Sequence, residues 1–255
     1  MSHLLRLVTF EDPIFATVQG EGKLVGTPST FIRLHGCDYS CSWCDTKDSW
    51  RAGSTYTEID VESVVDRARS FGLRHVVVTG GNPMIHKQLP ELITALNVSY
   101  VSEGRHVVGM HVTLETQGSV YDEASARAAD LLSLSPKMHA GASDYATAVE
   151  LAALSLNAGK DTQFKIVVST EDETGDAIAL MHDMYREIFL RLRSTNECRL
   201  SEVSWFLQPE HSTGRKGVHV VCEALQAWEK STRWYSTGPS IRVLPQVHKT
   251  AFFMR

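Results

Sequence analysis

The chain has no apolar run approaching the roughly 20 residues that a membrane-spanning helix needs. Its first residues, Met1-Ser2-His3-Leu4-Leu5-Arg6, hold no signal-peptide hydrophobic stretch. No membrane association is expected, and the expected location is cytoplasmic. Cysteine is scarce: five residues, an odd number with three of them clustered, which excludes a disulfide framework and fits a reduced compartment. No Lys/Arg-rich run interrupts a net charge of −5, so there is no electrostatic footprint for nucleic acid or an anionic surface, and a small-molecule substrate is expected. Low-complexity segments and internal repeats are missing too, and the polar stretch Ser194–Ser201 is too short to mark a domain boundary. At 255 residues the chain sits at the upper edge of one domain, and a single domain over residues 1–255 is expected.

What is present is led by Cys37, Cys41 and Cys44, packed into Gly36-Cys37-Asp38-Tyr39-Ser40-Cys41-Ser42-Trp43-Cys44-Asp45-Thr46. Cubane iron-sulfur clusters take closely spaced cysteine thiolates, usually four, and a loop with three leaves one iron open to a substrate or cofactor. Two other readings remain: a zinc site completed by His35, or thiols that share a loop by chance. Zinc sites favour paired C-x2-C knuckles, and nothing near Cys198 or Cys222 supplies a second pair.

Short β-rich runs alternate with helical patterns: Phe31–Leu34, His75–Thr79, Val107–Leu114, Leu131–Leu134, Phe164–Val168, Val203–Leu207 and Ile241–Leu244. That alternation predicts an α/β fold with a mainly parallel sheet. A helix is predicted from near Thr57, which forms a capping-box pattern with Asp60, and its apolar stripe is Val61, Val64, Val65, Ala68 and Phe71. Further helices fit Gln88–Asn97, Tyr145–Asn157, Asp176–Arg193 and Gly217–Lys230. Six or so βα units fall short of eight, so a partial, open (β/α)6-type barrel is expected rather than a closed one.

Chemistry in such folds sits at the C-terminal ends of strands. Val78-Thr79-Gly80-Gly81-Asn82-Pro83 runs from a buried strand into two glycines, which fits close backbone approach by a ligand or simply a tight turn. Leu114-Glu115-Thr116-Gln117 and Ser133-Leu134-Ser135-Pro136-Lys137 end two more strands with polar groups. Lys165 inside Phe164–Val168 either faces solvent or needs a partner, because burying an unpaired charge is costly. Arg33 offers a planar fork suited to a carboxylate, whether a ligand's or that of a structural Asp or Glu.

Taken together, Val18-Gln19-Gly20-Glu21-Gly22, Gly26-Thr27-Pro28, Phe31–Leu34, the cysteine segment through Asp45-Thr46, Thr79-Gly80-Gly81, Glu115-Thr116, Ser135-Pro136-Lys137, Phe164-Lys165 and Leu244-Pro245-Gln246-Val247-His248-Lys249 resemble the 7-carboxy-7-deazaguanine synthases. These are radical S-adenosylmethionine (SAM) enzymes. The cysteine spacing carries only the superfamily; its combination with Gln-Gly-Glu-Gly, Cys-Asp-Thr and Pro-Gln-x-His-Lys carries the subgroup. The competing readings are another small radical SAM enzyme, such as a glycyl radical enzyme activase, and a non-catalytic zinc-binding module.

The resemblance implies a 4Fe-4S cluster on Cys37, Cys41 and Cys44, with SAM chelating the fourth iron. It implies conversion of 6-carboxy-5,6,7,8-tetrahydropterin to 7-carboxy-7-deazaguanine with loss of ammonia, a carbon-nitrogen lyase reaction of queuosine and 7-deazapurine biosynthesis. Trp43, Cys44, Asp45, Gly81, Asn82, Ser135, Pro136 and Lys137 are expected to hold SAM. Val18, Gln19, Gly20, Glu21, Arg33, Thr79 and His248 are expected at the substrate, and Thr46 at a Mg2+ ion. Implied partners are an electron donor such as flavodoxin and a second copy of the chain. One departure stands out: the family usually reads Gly-Gly-Glu-Pro where this chain has Gly80-Gly81-Asn82-Pro83, so a neutral amide replaces a carboxylate. Extra sequence near Arg186–Ser201 and the tail Thr250–Arg255 have no readable purpose.

Overall fold

The computed structural model describes residues 4–102, 105–139, 141–192, 199–232 and 238–247. His248 and Cys198, both singled out above, lie outside the described residues. The chain divides into two compact units, one of residues 1–18, 27–116 and 120–132, the other of 19–26, 117–119 and 133–255.

The first unit holds β1 (Leu4–Val8), β2 (Ile14–Val18), β3 (Pro28–Leu34), β4 (Tyr56–Asp60), α1 (Val61–Arg69), β5 (His75–Gly80), α2 (Leu89–Asn97), a small β6–β7 hairpin (Tyr100–Ser102, Arg105–Val107), β8 (His111–Thr116), α3 (Glu123–Ala128) and the start of β9 (Leu131–Leu134). Its centre is parallel: Ser29 of β3 faces His75 of β5, which faces His111 of β8. β1 and β2 run antiparallel to β3, and β4 antiparallel to β1. Val76, Val77 and Val78 are fully buried, which explains the unbroken apolar run of β5. Against such strands α1 turns its buried stripe, Val61, Val64, Val65 and Ala68, and α2 turns Leu89, Leu92, Ile93 and Leu96. Each Val, Leu or Ile of these stripes taken out of water contributes about 1.5–3 kcal/mol.

Three expectations are corrected here. Thr57 does not cap α1; it pairs with Leu7 inside β4, and Asp60 is the cap, its Oδ1 accepting the Ser63 N–H at 2.8 Å. The run Val107–Leu114 is not one strand. It breaks where the Met110 N–H reaches the Leu96 carbonyl at 2.9 Å and Gly109 passes so close to α2 that a Cβ would lie 1.8 Å from the Asn97 carbonyl oxygen. Strands β1, β2 and β4 are additions to the predicted set: β1 and β2 are largely apolar runs of only five residues, too short for periodicity to distinguish, and β4, Tyr56–Asp60, is largely exposed.

The second unit holds the end of β9, α4 (Ala142–Asn157), β10 (Asp161–Val168), α5 (Glu171–Arg191), β11 (Ser204–Pro209), α6 (Gly214–Thr232) and β12 (Ile241–Val243). β10, β11 and β12 are parallel, with Phe164 opposite Trp205 and Trp205 opposite Ile241. The Phe164 and Trp205 rings stack at 4.4 Å, both fully buried. The α/β class, with strands and helices alternating, is as the sequence predicts.

Candidate active site

The cysteine loop begins where β3 ends and is fastened to the end of β5. Asn82 N–H donates to the Gly36 carbonyl at 2.8 Å, and Gly81 N–H to the Leu34 carbonyl at 3.2 Å. A Cβ on Gly81 would lie 2.0 Å from the Gly36 carbonyl oxygen and 2.9 Å from Cys37 Cβ, so only glycine lets these backbones meet. Gly36 N–H also donates to the Ser49 carbonyl at 2.7 Å, closing residues 37–48 into one loop. Cys41 is buried, and Cys37 and Cys44 are half-buried.

The loop's sulfurs receive hydrogen-bond donors. Cys37 Sγ accepts the Tyr39 N–H at 3.4 Å; Cys44 Sγ accepts the Thr46 N–H at 3.4 Å and the Trp50 indole N–H at 3.3 Å. Such donors stabilise thiolate, the form a metal requires. His35 is placed otherwise: its Nε2 pairs with Ser54 Oγ at 2.9 Å and its ring lies 5.1 Å from that of Tyr56. Burial, then the Arg6 charge, lowers its pKa. Among the described residues no three His, Cys, Asp or Glu side chains surround a single metal-sized point. A cubane takes thiolates that each bind a different iron, and the loop supplies three, with N–H donors on the sulfurs of Cys37 and Cys44. The donor set fits the cluster.

Arg33, Thr79 and Glu115 stand at the C-terminal ends of three adjacent parallel strands, where β3 places Arg33 opposite Thr79 and the Thr79 hydroxyl donates to Glu115 at 3.0 Å. Arg33 Nε is 2.5 Å from Glu11 Oε1, an ion pair whose angle leaves Nε without a directed hydrogen bond. Asn82 is fully buried: Nδ2 donates to Asp38 at 2.8 Å, and Oδ1 accepts from the Thr116 hydroxyl at 2.8 Å and Met84 N–H at 3.3 Å. Trp43 and Thr46 are half-buried and Asp45 is exposed on the same loop, while Val18 ends β2. Glu11, Asp38 and Trp50 were missed by the sequence reading, since a lone carboxylate or indole carries no spacing signal.

In the second unit Glu21 is a hub. Its carboxylate accepts from Lys165 Nζ, from Gln246 Nε2 at 2.6 Å and from Gln208 Nε2 at 3.4 Å. Gln19 Oε1 accepts the Glu21 N–H at 3.2 Å, and the Gly20 carbonyl accepts Val247 N–H at 3.0 Å. Lys165 is thus buried and paired rather than solvated. Ser135 and Pro136 are buried at the end of β9, and Lys137 Nζ donates to Ser135 Oγ at 3.0 Å.

Residues 31–187 match the model of the radical SAM superfamily. The chain is 38% identical over 173 residues to the 7-carboxy-7-deazaguanine synthase of Rhodopirellula baltica, 62% of each chain. It is 30% identical over 239 residues to the enzyme of that name from Prochlorococcus marinus, covering 92% of this chain and 93% of the relative. The crystal structure of QueE from Escherichia coli superposes with a TM-score of 0.59 at 21% identity, over 96% of this chain and 95% of that one. That likeness carries the fold, the open, partial (β/α)6-type barrel expected of the radical SAM kind. The activase and zinc-module readings fall away, and the chain belongs to the radical SAM superfamily and, within it, to the 7-carboxy-7-deazaguanine synthase family.

Proposed function

We propose that this chain converts 6-carboxy-5,6,7,8-tetrahydropterin to 7-carboxy-7-deazaguanine, releasing ammonia. The observation that carries the reading is the cysteine loop, closed by Gly36 and Ser49 and seated against Gly81. Cys37, Cys41 and Cys44 would hold a 4Fe-4S cluster that, with SAM, supplies the radical that takes a hydrogen atom from the substrate. The protein's own work is to bind, orient and keep water out.

Arg33 is assigned to the substrate carboxylate, for which its planar fork is suited. Thr79 follows in register, its hydroxyl aligned by Glu115. Val18, Gln19 and Gly20 are assigned to the pterin through backbone groups; Glu21 supports that loop, its carboxylate being engaged by Lys165 and two glutamines. His248 keeps its assignment from the resemblance alone. For SAM the assigned residues are Trp43, Cys44, Asp45, Gly81, Asn82 and Ser135–Lys137. Thr46, with its hydroxyl on the cysteine loop, is assigned to Mg2+, which favours oxygen ligands. Further proposals are action as a single domain, a one-electron donor of the flavodoxin type, a homodimer and a cytoplasmic location. Among the described residues no helix is long and apolar enough to cross a membrane.

The test is an anaerobic assay of reconstituted protein with SAM, reductant and the carboxytetrahydropterin. 7-Carboxy-7-deazaguanine and ammonia are expected, and the Cys37→Ala protein should lose cluster iron and turnover together. Reductive SAM cleavage without ring contraction would overturn the substrate assignment.

A further inference from the structure

Amide-to-sulfur hydrogen bonds arise in any tight cysteine loop, but the donor on Cys44 is also a side chain. The Trp50 indole N–H reaches Cys44 Sγ at 3.3 Å from six residues further along the chain. The approach is built: the 3-10 turn Lys47–Ser49 ends at Trp50, whose N–H donates to the Lys47 carbonyl at 3.1 Å. Ser49 is fully buried, its hydroxyl donates to the Thr46 carbonyl at 2.7 Å, and its own carbonyl takes the Gly36 N–H at 2.7 Å. The same turn therefore closes the cysteine loop and aims the indole at the sulfur.

We propose that Trp50 tunes the reduction potential of the cluster through this N–H···S bond, an inference that rests on Cys37, Cys41 and Cys44 being the cluster ligands. Reduction adds one electron, delivered by an external one-electron reductant, and the added negative charge spreads onto the thiolate sulfurs. A donor aimed at one of those sulfurs stabilises the reduced state more than the oxidised one, and hydrogen bonds to the sulfurs are among the factors that set cluster potentials. Trp50 thus makes the cluster easier to reduce. It is a positioning and tuning group, not one that touches substrate.

Trp50→Phe keeps an aromatic ring, though a smaller one, and removes the donor. Redox-poised EPR of the reconstituted variant should give a midpoint more negative than wild type, at unchanged iron and sulfide per chain. SAM cleavage should slow several-fold with a weak reductant and recover with a strong one. An unchanged or more positive midpoint would overturn the proposal. If Trp50→Phe fails to assemble a cluster, protein labelled with indole-15N tryptophan in a Trp43→Phe background decides. Pulsed EPR of its reduced cluster should show a 15N coupling, and no coupling overturns the role. A wild-type protein that binds no cubane would instead sink the ligand assignment itself, a different and separately visible failure.

Discussion

Arg33 meets a carboxylate in this structure, but it is Glu11, 2.5 Å away and 39% exposed. A half-exposed carboxylate paired imperfectly with a guanidinium is a weak competitor, since water already screens it. A substrate carboxylate in a drier site has more to gain from the same fork. Arg33→Ala should therefore weaken pterin binding by about 2–5 kcal/mol, the cost of truncating one partner of a buried charge pair, while SAM cleavage under strong reductant continues. Titration showing unchanged pterin affinity would remove Arg33 from the substrate site. Asn82 changes the outlook differently. Sequence alone makes it a neutral stand-in for the family's glutamate, able to accept a hydrogen bond without charge assistance. The structure shows its amide donating to Asp38. Glu at that position cannot donate to exposed Asp38 and buries a second carboxylate beside it, a like-charge placement that costs about 1–3 kcal/mol. Asn82→Glu is expected to lower thermal stability, and Asp38→Asn in the same protein to restore part of the loss; a Glu variant as stable as wild type would show that the Asp38 bond is incidental.

At the scale of elements, β3, β5 and β8 are crossed near their N-terminal ends by a polar chain. His75 Nδ1 meets Ser29 Oγ at 2.6 Å, and Nε2 meets Thr113 Oγ1 at 2.8 Å. Burial, with the nearby His111 adding repulsion, pushes the His75 pKa down to about 4. Folded protein thus holds His75 neutral where the unfolded chain, near 6.5, takes up a proton. The stabilisation is complete above about pH 6.5 and drains away as pH falls toward 4. Buried His86 and half-buried His35 and His182 are lowered as well, so the diagnostic is a difference of slopes. Urea midpoints measured between pH 7 and 4.5 should fall less steeply for His75→Gln than for wild type; parallel slopes would mean His75 is not a titrating element of the sheet. The same strands show what periodicity can reveal. β5 is buried on both faces and reads plainly as an apolar run, and α1 and α2 read from their stripes. β4, with exposed Tyr56, Thr57 and Glu58, is defined only by its pairing with β1, a long-range contact that leaves no local trace.

Over the whole molecule, the cysteine loop was legible because its three thiols are closely spaced, and the resemblance then ordered the scattered motifs. The partners of those motifs were not legible, because they are joined across the chain rather than along it. Glu21 is the clearest case. Its carboxylate gathers Lys165, Gln208 and Gln246, at sequence separations of 144, 187 and 225 residues. Side chains of Glu21 and Lys165 are each only 11% exposed. Removing one member of a buried ion pair strands the other charge, which typically costs about 3–5 kcal/mol, whereas replacing both by apolar groups of similar volume is often neutral. Glu21→Ala should therefore lower the urea midpoint of the second unit strongly. Glu21→Gln keeps an acceptor for the two glutamine amides and should cost less, about 1–3 kcal/mol. The double change Glu21→Met with Lys165→Met should recover most of the loss in stability while abolishing turnover, because the apolar pair keeps the packing but no longer fastens Gln246 and the Gln19-Gly20 loop. If Glu21→Ala unfolds at the wild-type midpoint, the hub holds nothing together, and the support it lends to the Gln19-Gly20 loop would have to come from the Gly20–Val247 backbone bond instead.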